Sequence, residues 1–211
     1  MPDSLTAPNA PVLAVDRFAE PIVLASASPR RHALLARAGV AFEARPADLD
    51  ETPRRGEAAE DTLARLARAK AATVAAALAQ PRRLVLGADT GVVLGGELYG
   101  KPRDPDHAIA MLARLAGNTH RVITEVALVE SGSARVWQCS VTTRVTMRAA
   151  TLAELARYVA GGEPLDKAGA YAYQGEGGVL VSRIEGSESN VIGLPLEETI
   201  ALIACARAAL A

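Results

Sequence analysis

The sequence contains few of the residues on which several classes of protein depend. Only two of its 211 residues are cysteine, which rules out a disulfide framework, and aromatic residues make up 3% of the chain. So few aromatic side chains argue against the stacking platforms that bind single-stranded nucleic acid. Neither sign of charge dominates, since 23 basic residues stand against 24 acidic ones and the formal net charge is -1. This balance disfavours nucleic-acid coats and polybasic membrane binders.

Long hydrophobic runs are lacking too, and no segment approaches the length of a membrane span. The first residues have neither the basic start nor the apolar centre of a signal peptide. We therefore expect a cytoplasmic protein, with a flexible tail over residues 1–20 and one domain over residues 21–211. Hydrophobic residues account for 50% of the chain, which is enough for a sizeable core. Cys139 and Cys205 are expected to be reduced, buried thiols.

Helical and strand patterns alternate along most of the chain. Apolar residues at helical spacing predict a helix from Asp61 to about Ala79, and Leu84–Leu86 reads as a short buried strand. Gly95-Gly96 is typical of a hairpin turn. Because a hairpin interrupts the alternation, we predict an α/β fold with a mixed sheet rather than a purely parallel, doubly wound one.

The most informative segment is Ser26-Ala27-Ser28-Pro29-Arg30-Arg31, which follows a buried strand predicted over Ile22–Leu24. Ser28 is a good N-cap and Pro29 a good first helical residue, so both arginines fall in the first helical turn. The helix dipole disfavours cations there. A bound phosphate would explain the placement, because two hydroxyls, free N–H groups and two guanidinium groups would converge on it. The alternative is an ordinary capped helix with solvated arginines.

Two glycine-flanked motifs carry a charged residue. Gly87-Ala88-Asp89-Thr90-Gly91 is expected at the carboxyl end of the Leu84–Leu86 strand, where α/β sheets bind ligands; an ordinary strand-end turn is the alternative. Gly100-Lys101-Pro102 holds a lysine on a backbone of fixed direction. This lysine suits a phosphate contact, although a plain surface turn would look the same.

An acidic cluster and one unusual lysine lie between these motifs. Asp48, Asp50 and Glu51 repel one another unless a cation sits among them, and carboxylate oxygens suit Mg²⁺ or Mn²⁺. A solvated acidic loop is the other interpretation. Lys70 interrupts the apolar stripe of its helix, so its side chain must either reach past the apolar surface to water or point into a polar cleft.

A long irregular segment runs from Glu163 to Tyr171 and on to Gln174-Gly175. It is too polar and too rich in glycine for a core element. Long irregular segments inside compact domains are usually functional loops, so this segment, which includes Lys167, is expected to face a site.

Taken together, these motifs resemble the Maf family of nucleoside triphosphate pyrophosphatases, and the likeness extends from Ile22 to about Leu196. The segments that carry it are Ser26–Arg31, Asp50–Thr52, Leu66–Lys70, Gly87–Thr90, Gly100–Pro102, Glu163–Gln174, Arg183–Ser187 and Asn190–Leu196. The resemblance implies a Maf/ITPase-like α/β fold, an elongated mixed sheet with flanking helices and a central nucleotide cleft. It also implies metal-dependent hydrolysis of a nucleoside triphosphate to monophosphate and pyrophosphate, and a chain able to form a homodimer.

The roles of the candidate residues follow from this resemblance and from the chemistry of the charged groups. Asp89 is the expected proton acceptor, and Glu51 and Lys101 complete the catalytic set. Asp89 and Glu51 are also expected to hold a divalent cation, Mg²⁺ or Mn²⁺. The expected phosphate-binding residues are Ser26, Ser28, Arg30, Arg31, Lys70 and Lys167. The expected specificity residues are Arg30, Thr90 and Gln174.

Within the family, Asp89-Thr90 together with Gln174 is similar to the dTTP/UTP pyrophosphatase group, whereas the 7-methyl-GTP group carries Asp-Gln in place of Asp-Thr. The chain departs from the family pattern in three places. Tyr173, after Ala172, replaces the isoleucine of a Gly-Ile pair, Glu188 replaces an aromatic residue, and Glu125 replaces a glycine.

Other functions remain open at this point. One alternative is a 7-methyl-GTP-type or broad-specificity Maf pyrophosphatase. A second is a nucleotidyltransferase, which would need a second substrate. A third is a non-catalytic, nucleotide-binding regulator of cell division, which would bind nucleotide without turning it over.

Overall fold

The computed structural model describes residues 20–79 and 82–211. The predicted tail over residues 1–20 therefore lies outside the described residues, apart from Glu20. The strands are β1 (Ile22–Leu24), β2 (Phe42–Ala44), β3 (Leu84–Leu94), β4 (Glu97–Tyr99), β5 (Thr119–Glu130), β6 (Val136–Met147) and β7 (Val181–Glu185). The α-helices are α1 (Pro29–Arg37), α2 (Ala59–Ala77), α3 (Pro105–Leu115), α4 (Leu152–Ala160), α5 (Glu188–Ile192) and α6 (Leu196–Ala208). Short 3₁₀ helices cover Glu163–Asp166, Ala168–Ala170 and Glu176–Leu180.

The strands form one mixed, open sheet in the order β2-β1-β3-β5-β6-β7, with β4 paired to β3. The β1–β2 and β1–β3 pairs are parallel, and the other pairs are antiparallel. Helix α2 packs on β3 and β5 through residues such as Leu63 and Ala71. Leu34 of α1 and Ile203 of α6 belong to a separate core cluster with residues of β1, β3 and β5. The predicted α/β fold with a mixed sheet is confirmed.

An opening in the sheet beside β3 positions the functional cleft. On one edge of β3, β1 pairs with Val85 and Leu86, and β4 pairs with Val92–Leu94. Between these two pairings, residues 87–91 have β5 on their other edge but, among the described residues, no strand on this one. The side chains of this stretch can therefore border a cavity from the middle of the sheet.

The predicted position of residues 87–91 at the end of a strand is wrong, and so is the alternative of a turn. Strand β3 runs unbroken from Leu84 to Leu94, so Asp89 lies in mid-strand. The flanking glycines serve close packing instead: a Cβ on Gly87 would overlap the Ala67 carbonyl and lie 2.8 Å from the Ala71 nitrogen of α2. Strand glycines often mark such an approach of another backbone. Ligands of α/β sheets bind beyond the carboxyl ends of parallel strands. In this fold the strand in that position is β1, which leads into the N-terminus of α1.

Most of the local expectations are confirmed. Ser28 caps α1, and Pro29 is its first residue. Helix α2 begins two residues before Asp61 and ends at Ala77, close to the prediction. Strand β2 was not predicted, because its three residues have no buried face. No helix in the described ranges combines the length and apolarity that crossing a membrane requires.

The expectation for the two thiols is correct only in part. Both cysteines are free, Cys139 is half-buried on β6, and Cys205 is exposed on α6. The prediction that Cys205 is buried is wrong, because the core-facing residues of α6 are Thr199, Ile203 and Ala206.

Replacing Gly87 by alanine should destabilise the protein by about 2–3 kcal/mol, since an added methyl group would have to push α2 away from β3. Urea unfolding at neutral pH measures the effect. Gly100→Ala is the matched control, because a Cβ there meets no atom within 4 Å. Equal stability of the two variants would contradict the packing role of Gly87.

Candidate active site

The opening beside β3 leads into a cleft of about 860 Å³. All the site residues predicted from the sequence line this one cleft. They are Ser26, Ser28, Arg30, Arg31, Glu51, Lys70, Asp89, Thr90, Lys101, Lys167 and Gln174. The structure thus brings together several parts of the chain: the connection from β1 to α1, helices α1 and α2, strand β3, the segment after β4 and the loop over residues 163–175. Their individual roles stay predictions.

The N-terminus of α1 forms one wall. The Ser28 hydroxyl accepts the Arg31 amide at 3.5 Å, and the Ser28 amide donates to Ser26 Oγ at 3.2 Å. The Arg31 side chain is tied to the protein through all three nitrogens: Nε donates to the Gly193 carbonyl at 2.9 Å, Nη1 to Ser26 Oγ at 3.4 Å and Nη2 to Thr90 Oγ1 at 3.2 Å. Burial lowers the pKa of Arg31. Arg31 is therefore a fixed charge in the wall of the cleft.

Arg30 is held less firmly than Arg31. Its guanidinium lies 3.9 Å from the carboxylate of Asp166, which is itself exposed. Lys101 is exposed at the rim of the cleft, after the β4 hairpin. These two cations are consequently free to meet an anionic ligand.

Lys70 joins two carboxylates at the centre of the cleft. Its ammonium lies 2.5 Å from Asp89 Oδ1 and 2.9 Å from Glu51 Oε1. Lys70 and Asp89 are only 8% and 9% exposed, so of the two expectations for Lys70 the polar cleft is confirmed. Burial raises the pKa of Asp89 despite the opposing charges of Lys70 and Arg31. A carboxylate of raised pKa is a stronger proton acceptor.

Of the two interpretations of the acidic cluster, the structure supports the solvated loop for Asp48 and Asp50, which are exposed. Of Asp48, Asp50 and Glu51, only Glu51 lines the cleft, and Asp50 Oδ1 accepts the Thr52 amide at 2.9 Å instead. In the described part of the chain, no group of three or more His, Cys, Asp or Glu side chains could hold a metal ion. The pair formed by Glu51 and Asp89, which converge on one ammonium, stays the predicted metal-binding pair.

Two of the expected specificity residues, Thr90 and Gln174, differ in their surroundings. Thr90 Oγ1 lies 2.9 Å from Thr124 Oγ1 and 3.2 Å from the Gly193 carbonyl, besides accepting from Arg31. Gln174, by contrast, is exposed along the cleft. The Gly193 carbonyl, which joins Arg31 to α5, was not among the predicted site residues. The Asn190–Leu196 motif, which contains Gly193, was the available signal.

The loop predicted to face a site lies along the cleft and is anchored to the sheet. His120 Nε2 of β5 is 2.9 Å from the Tyr171 hydroxyl, and the Gly169 amide donates to the Gly100 carbonyl at 3.1 Å. Lys167 Nζ donates to the Glu163 carbonyl at 2.9 Å and also pairs with Asp166. These contacts hold Lys167 and Gln174 on a defined backbone.

Two of the three departures from the family pattern touch each other. The Tyr173 hydroxyl lies 3.4 Å from Glu188 Oε1, and Tyr173 lines the cleft. Glu125 is opposite Asp89 in the strand register but is not among the residues that line the cleft. Burial raises the pKa of Glu125.

A cationic cleft at the carboxyl end of a parallel strand and at a helix N-terminus is typical of α/β proteins that bind phosphorylated ligands. The chain belongs to the Maf family: the family model described as Maf-like protein matches residues 21–206. The resemblance noted from the motifs is thereby confirmed.

Several relatives are similar over most of their length. A dTTP/UTP pyrophosphatase of Myxococcus xanthus (strain DK1622) is 56% identical over 182 residues, covering 86% of this chain and 90% of the relative. That of Anaeromyxobacter dehalogenans (strain 2CP-1 / ATCC BAA-258) is 52% identical, covering 86% and 92%. That of Shigella sonnei (strain Ss046) is 50% identical, covering 86% and 91%.

The buried His120 should make stability fall in mild acid. Burial lowers the pKa of His120 from 6.5 to about 4. Below pH 6.5 the unfolded chain binds a proton that the folded chain refuses until about pH 4. The His120 contribution to the free energy of unfolding should therefore be constant above pH 6.5 and should fall by up to about 1.4 kcal/mol per pH unit between pH 6.5 and about pH 4.

His120→Gln should flatten this dependence, because glutamine keeps a polar group near Tyr171 without titrating. Urea unfolding of parent and variant between pH 7.5 and 5 measures the two slopes. A uniform loss of stability in the variant leaves the slope comparison intact, and identical slopes would contradict the assignment.

Proposed function

We propose that this protein hydrolyses nucleoside triphosphates, dTTP and UTP above all, to the monophosphate and pyrophosphate. The observation that carries the proposal is the buried Asp89–Lys70–Glu51 arrangement inside a cleft lined by further cations. The three relatives described above, each a dTTP/UTP pyrophosphatase, support the same reaction and the same pair of substrates.

Asp89 is the proton acceptor in this proposal. It takes a proton from a water molecule whose oxygen forms a bond to the α phosphorus, while the bond from that phosphorus to the α–β bridging oxygen breaks. Pyrophosphate leaves with the electron pair. The burial that raises the pKa of Asp89 makes it a better base, and Lys70 at 2.5 Å holds the carboxylate in place.

The cations of the cleft neutralise the charge that builds up on the leaving pyrophosphate. Arg31 is already fixed by its hydrogen bonds, so it needs no reorganisation during the reaction. Arg30 and Lys101 have freer side chains and can follow the phosphates. The full proposed set is Arg30, Arg31, Lys70, Lys101 and Lys167, with the hydroxyls of Ser26 and Ser28.

Glu51 and Asp89 suit a divalent cation, because both carboxylates already converge on a single positive group, the ammonium of Lys70. Mg²⁺ is commonly bound through one or two carboxylates together with substrate phosphates, and it would supply charge neutralisation and alignment of the triphosphate. We propose Mg²⁺ or Mn²⁺ as the cofactor.

The base preference rests on Thr90, Gln174 and Arg30. A threonine hydroxyl and a glutamine amide can pair with the O4, N3 and O2 edge of thymine or uracil. Broad base specificity is the second candidate, favoured by the ring of Tyr173 along the cleft, which could stack on other bases. A homodimer and a cytoplasmic location stay predictions.

Asp89→Asn should lower turnover about a hundredfold or more, because the amide cannot accept the proton. The fold should survive, since Glu51 remains to pair with Lys70. Steady-state release of pyrophosphate measures turnover, and near-ultraviolet circular dichroism checks the fold. Asp61→Asn, at an exposed position of α2, is the control. Parent-like turnover in a folded Asp89 variant would remove Asp89 from the mechanism.

The parent should process dTTP and UTP about ten- to a hundredfold better than ATP and 7-methyl-GTP, since a wrong base leaves polar groups unpaired. The measurement is kcat/KM with Mg²⁺ or Mn²⁺, with products resolved as monophosphate plus pyrophosphate. Gln174→Ala should narrow the ratio, whereas Gln138→Ala, exposed on β6, should not. Preference for 7-methyl-GTP, or an unchanged ratio of kcat/KM values in Gln174→Ala, would contradict the assigned bases but not the reaction.

A further inference from the structure

Two side chains, Tyr158 and Glu163, hold the backbone of the loop that carries Gln174 along the cleft. Tyr158 belongs to α4 and Glu163 to the 3₁₀ helix that follows. Sequence reasoning assigned neither side chain a role. We call these two side chains, with the backbone amides they bind, the loop clamp.

Four hydrogen bonds make up the loop clamp. The Tyr158 hydroxyl donates to Glu163 Oε2 at 2.8 Å and accepts the Ala172 amide at 3.0 Å. The Glu163 carboxylate accepts the Glu176 amide at 3.1 Å through Oε1 and the Gly177 amide at 3.1 Å through Oε2. The bonds reach the backbone on both sides of Gln174, so they fix the turn that carries it.

Two glycines let the backbone wrap closely around the clamp. A Cβ on Gly175 would overlap the carboxylate of Glu163 and lie 2.5 Å from its Cδ. A Cβ on Gly177 would overlap the Tyr158 hydroxyl and lie 2.8 Å from Cζ. The Gln174-Gly175-Glu176-Gly177 stretch is thus shaped to the clamp, a fit that a solvated surface turn would not need.

The ionisation states match this hydrogen-bond pattern. Tyr158 is 8% exposed, and burial raises its pKa, so the phenol keeps the proton that it donates. Burial alone would raise the pKa of Glu163, but the bonds from Tyr158, Gly177 and Glu176 hold it below its ordinary value. Glu163 therefore accepts as a carboxylate, and hydrogen bonds to a charged acceptor are the stronger kind.

The clamp acts on one end of the cleft only. Lys167 binds the main-chain carbonyl of Glu163 and not its carboxylate. Arg31, Lys70 and Asp89 are held by contacts that involve neither Tyr158 nor Glu163. A change in either clamp side chain should therefore disturb the placement of Gln174 and leave the phosphate-facing groups where they are.

We propose that Tyr158 and Glu163 are positioning residues for base selectivity, because the loop clamp aims Gln174 at the nucleobase. The proposal rests on the proposed function, in which Gln174 contacts the base. Neither residue touches the reacting atoms. Removing either side chain should lower the preference for dTTP over ATP and raise KM for dTTP, with kcat little changed.

The experiment compares the parent with Tyr158→Phe, Glu163→Ala and Glu163→Gln. The ratio of kcat/KM for dTTP to that for ATP should fall about tenfold in the first two variants, the lower end of the discrimination expected from polar base contacts. Glu163→Gln should recover part of the ratio, because its amide oxygen can still accept backbone N–H groups. Inhibition by inorganic pyrophosphate, which has no base, should stay as in the parent.

Amide hydrogen exchange gives a readout independent of activity. Tyr158→Phe should speed exchange at Ala172 about tenfold or more, and Glu163→Ala should do the same at Glu176 and Gly177, because each amide loses its acceptor. Tyr99→Phe is the matched control, since Tyr99 is buried and its hydroxyl bonds Glu97 away from this loop. It should change neither the exchange at these amides nor the base ratio.

The outcomes separate the two proposals. A parent that hydrolyses no nucleoside triphosphate contradicts the proposed function itself. An active parent whose base ratio is unchanged in both Tyr158→Phe and Glu163→Ala overturns the loop clamp as a selectivity device, whatever the exchange rates do. So does a ratio that falls without faster exchange, or one that falls together with weaker pyrophosphate inhibition, because the damage would then be general.

Discussion

The close contact of α2 with the middle of β3 is the constraint on which the cleft depends. Gly87 lets Ala67 and Ala71 of the helix lie directly on the strand. With the helix this close, Lys70 on the same helix reaches Asp89 on the strand at 2.5 Å. A larger residue at position 87 would lift the helix and separate the two charges. The packing of a backbone therefore sets the geometry of the charged centre.

Burying the charges of Lys70 and Asp89 costs free energy, and this cost explains why each charge has a partner of opposite sign. Desolvating an ion pair usually cancels its attraction, and removing one partner leaves an uncompensated charge that costs about 3–5 kcal/mol. Lys70 has two carboxylate partners, one of them the more exposed Glu51. Glu51 can turn toward another cation while Lys70 keeps Asp89. With two carboxylates around it, Lys70 can lose the contact with Glu51 and still be paired, which a buried pair with a single carboxylate would not allow.

The sequence predicted the members of the site better than it predicted their setting. Motifs such as Ser26–Arg31 have local causes, namely an N-cap and a first-turn proline, and these causes act the same way in the fold. The strand was expected to end before residues 87–91, because glycines within a strand resemble a strand end as long as the helix that packs on them is not known. The hydrogen bonds that fix the Arg31 guanidinium could not be predicted either, since its acceptor Gly193 is far away in the chain. Long-range contacts of this kind have no local pattern.

The two ends of the cleft differ in structure, and in the proposed function this difference separates the chemistry from the base selectivity. The end that we propose faces the phosphates combines a helix N-terminus, a strand and the ion pairs of Lys70. The end that we propose faces the base combines a glycine-rich loop and the first turn of α5, which are joined through Tyr173 and Glu188. The hydrogen bonds and ion pairs of Arg31, Lys70 and Asp89 involve neither Tyr173 nor Glu188. Substitutions at these two positions can therefore change the proposed base-facing end while Arg31, Lys70 and Asp89 keep their partners.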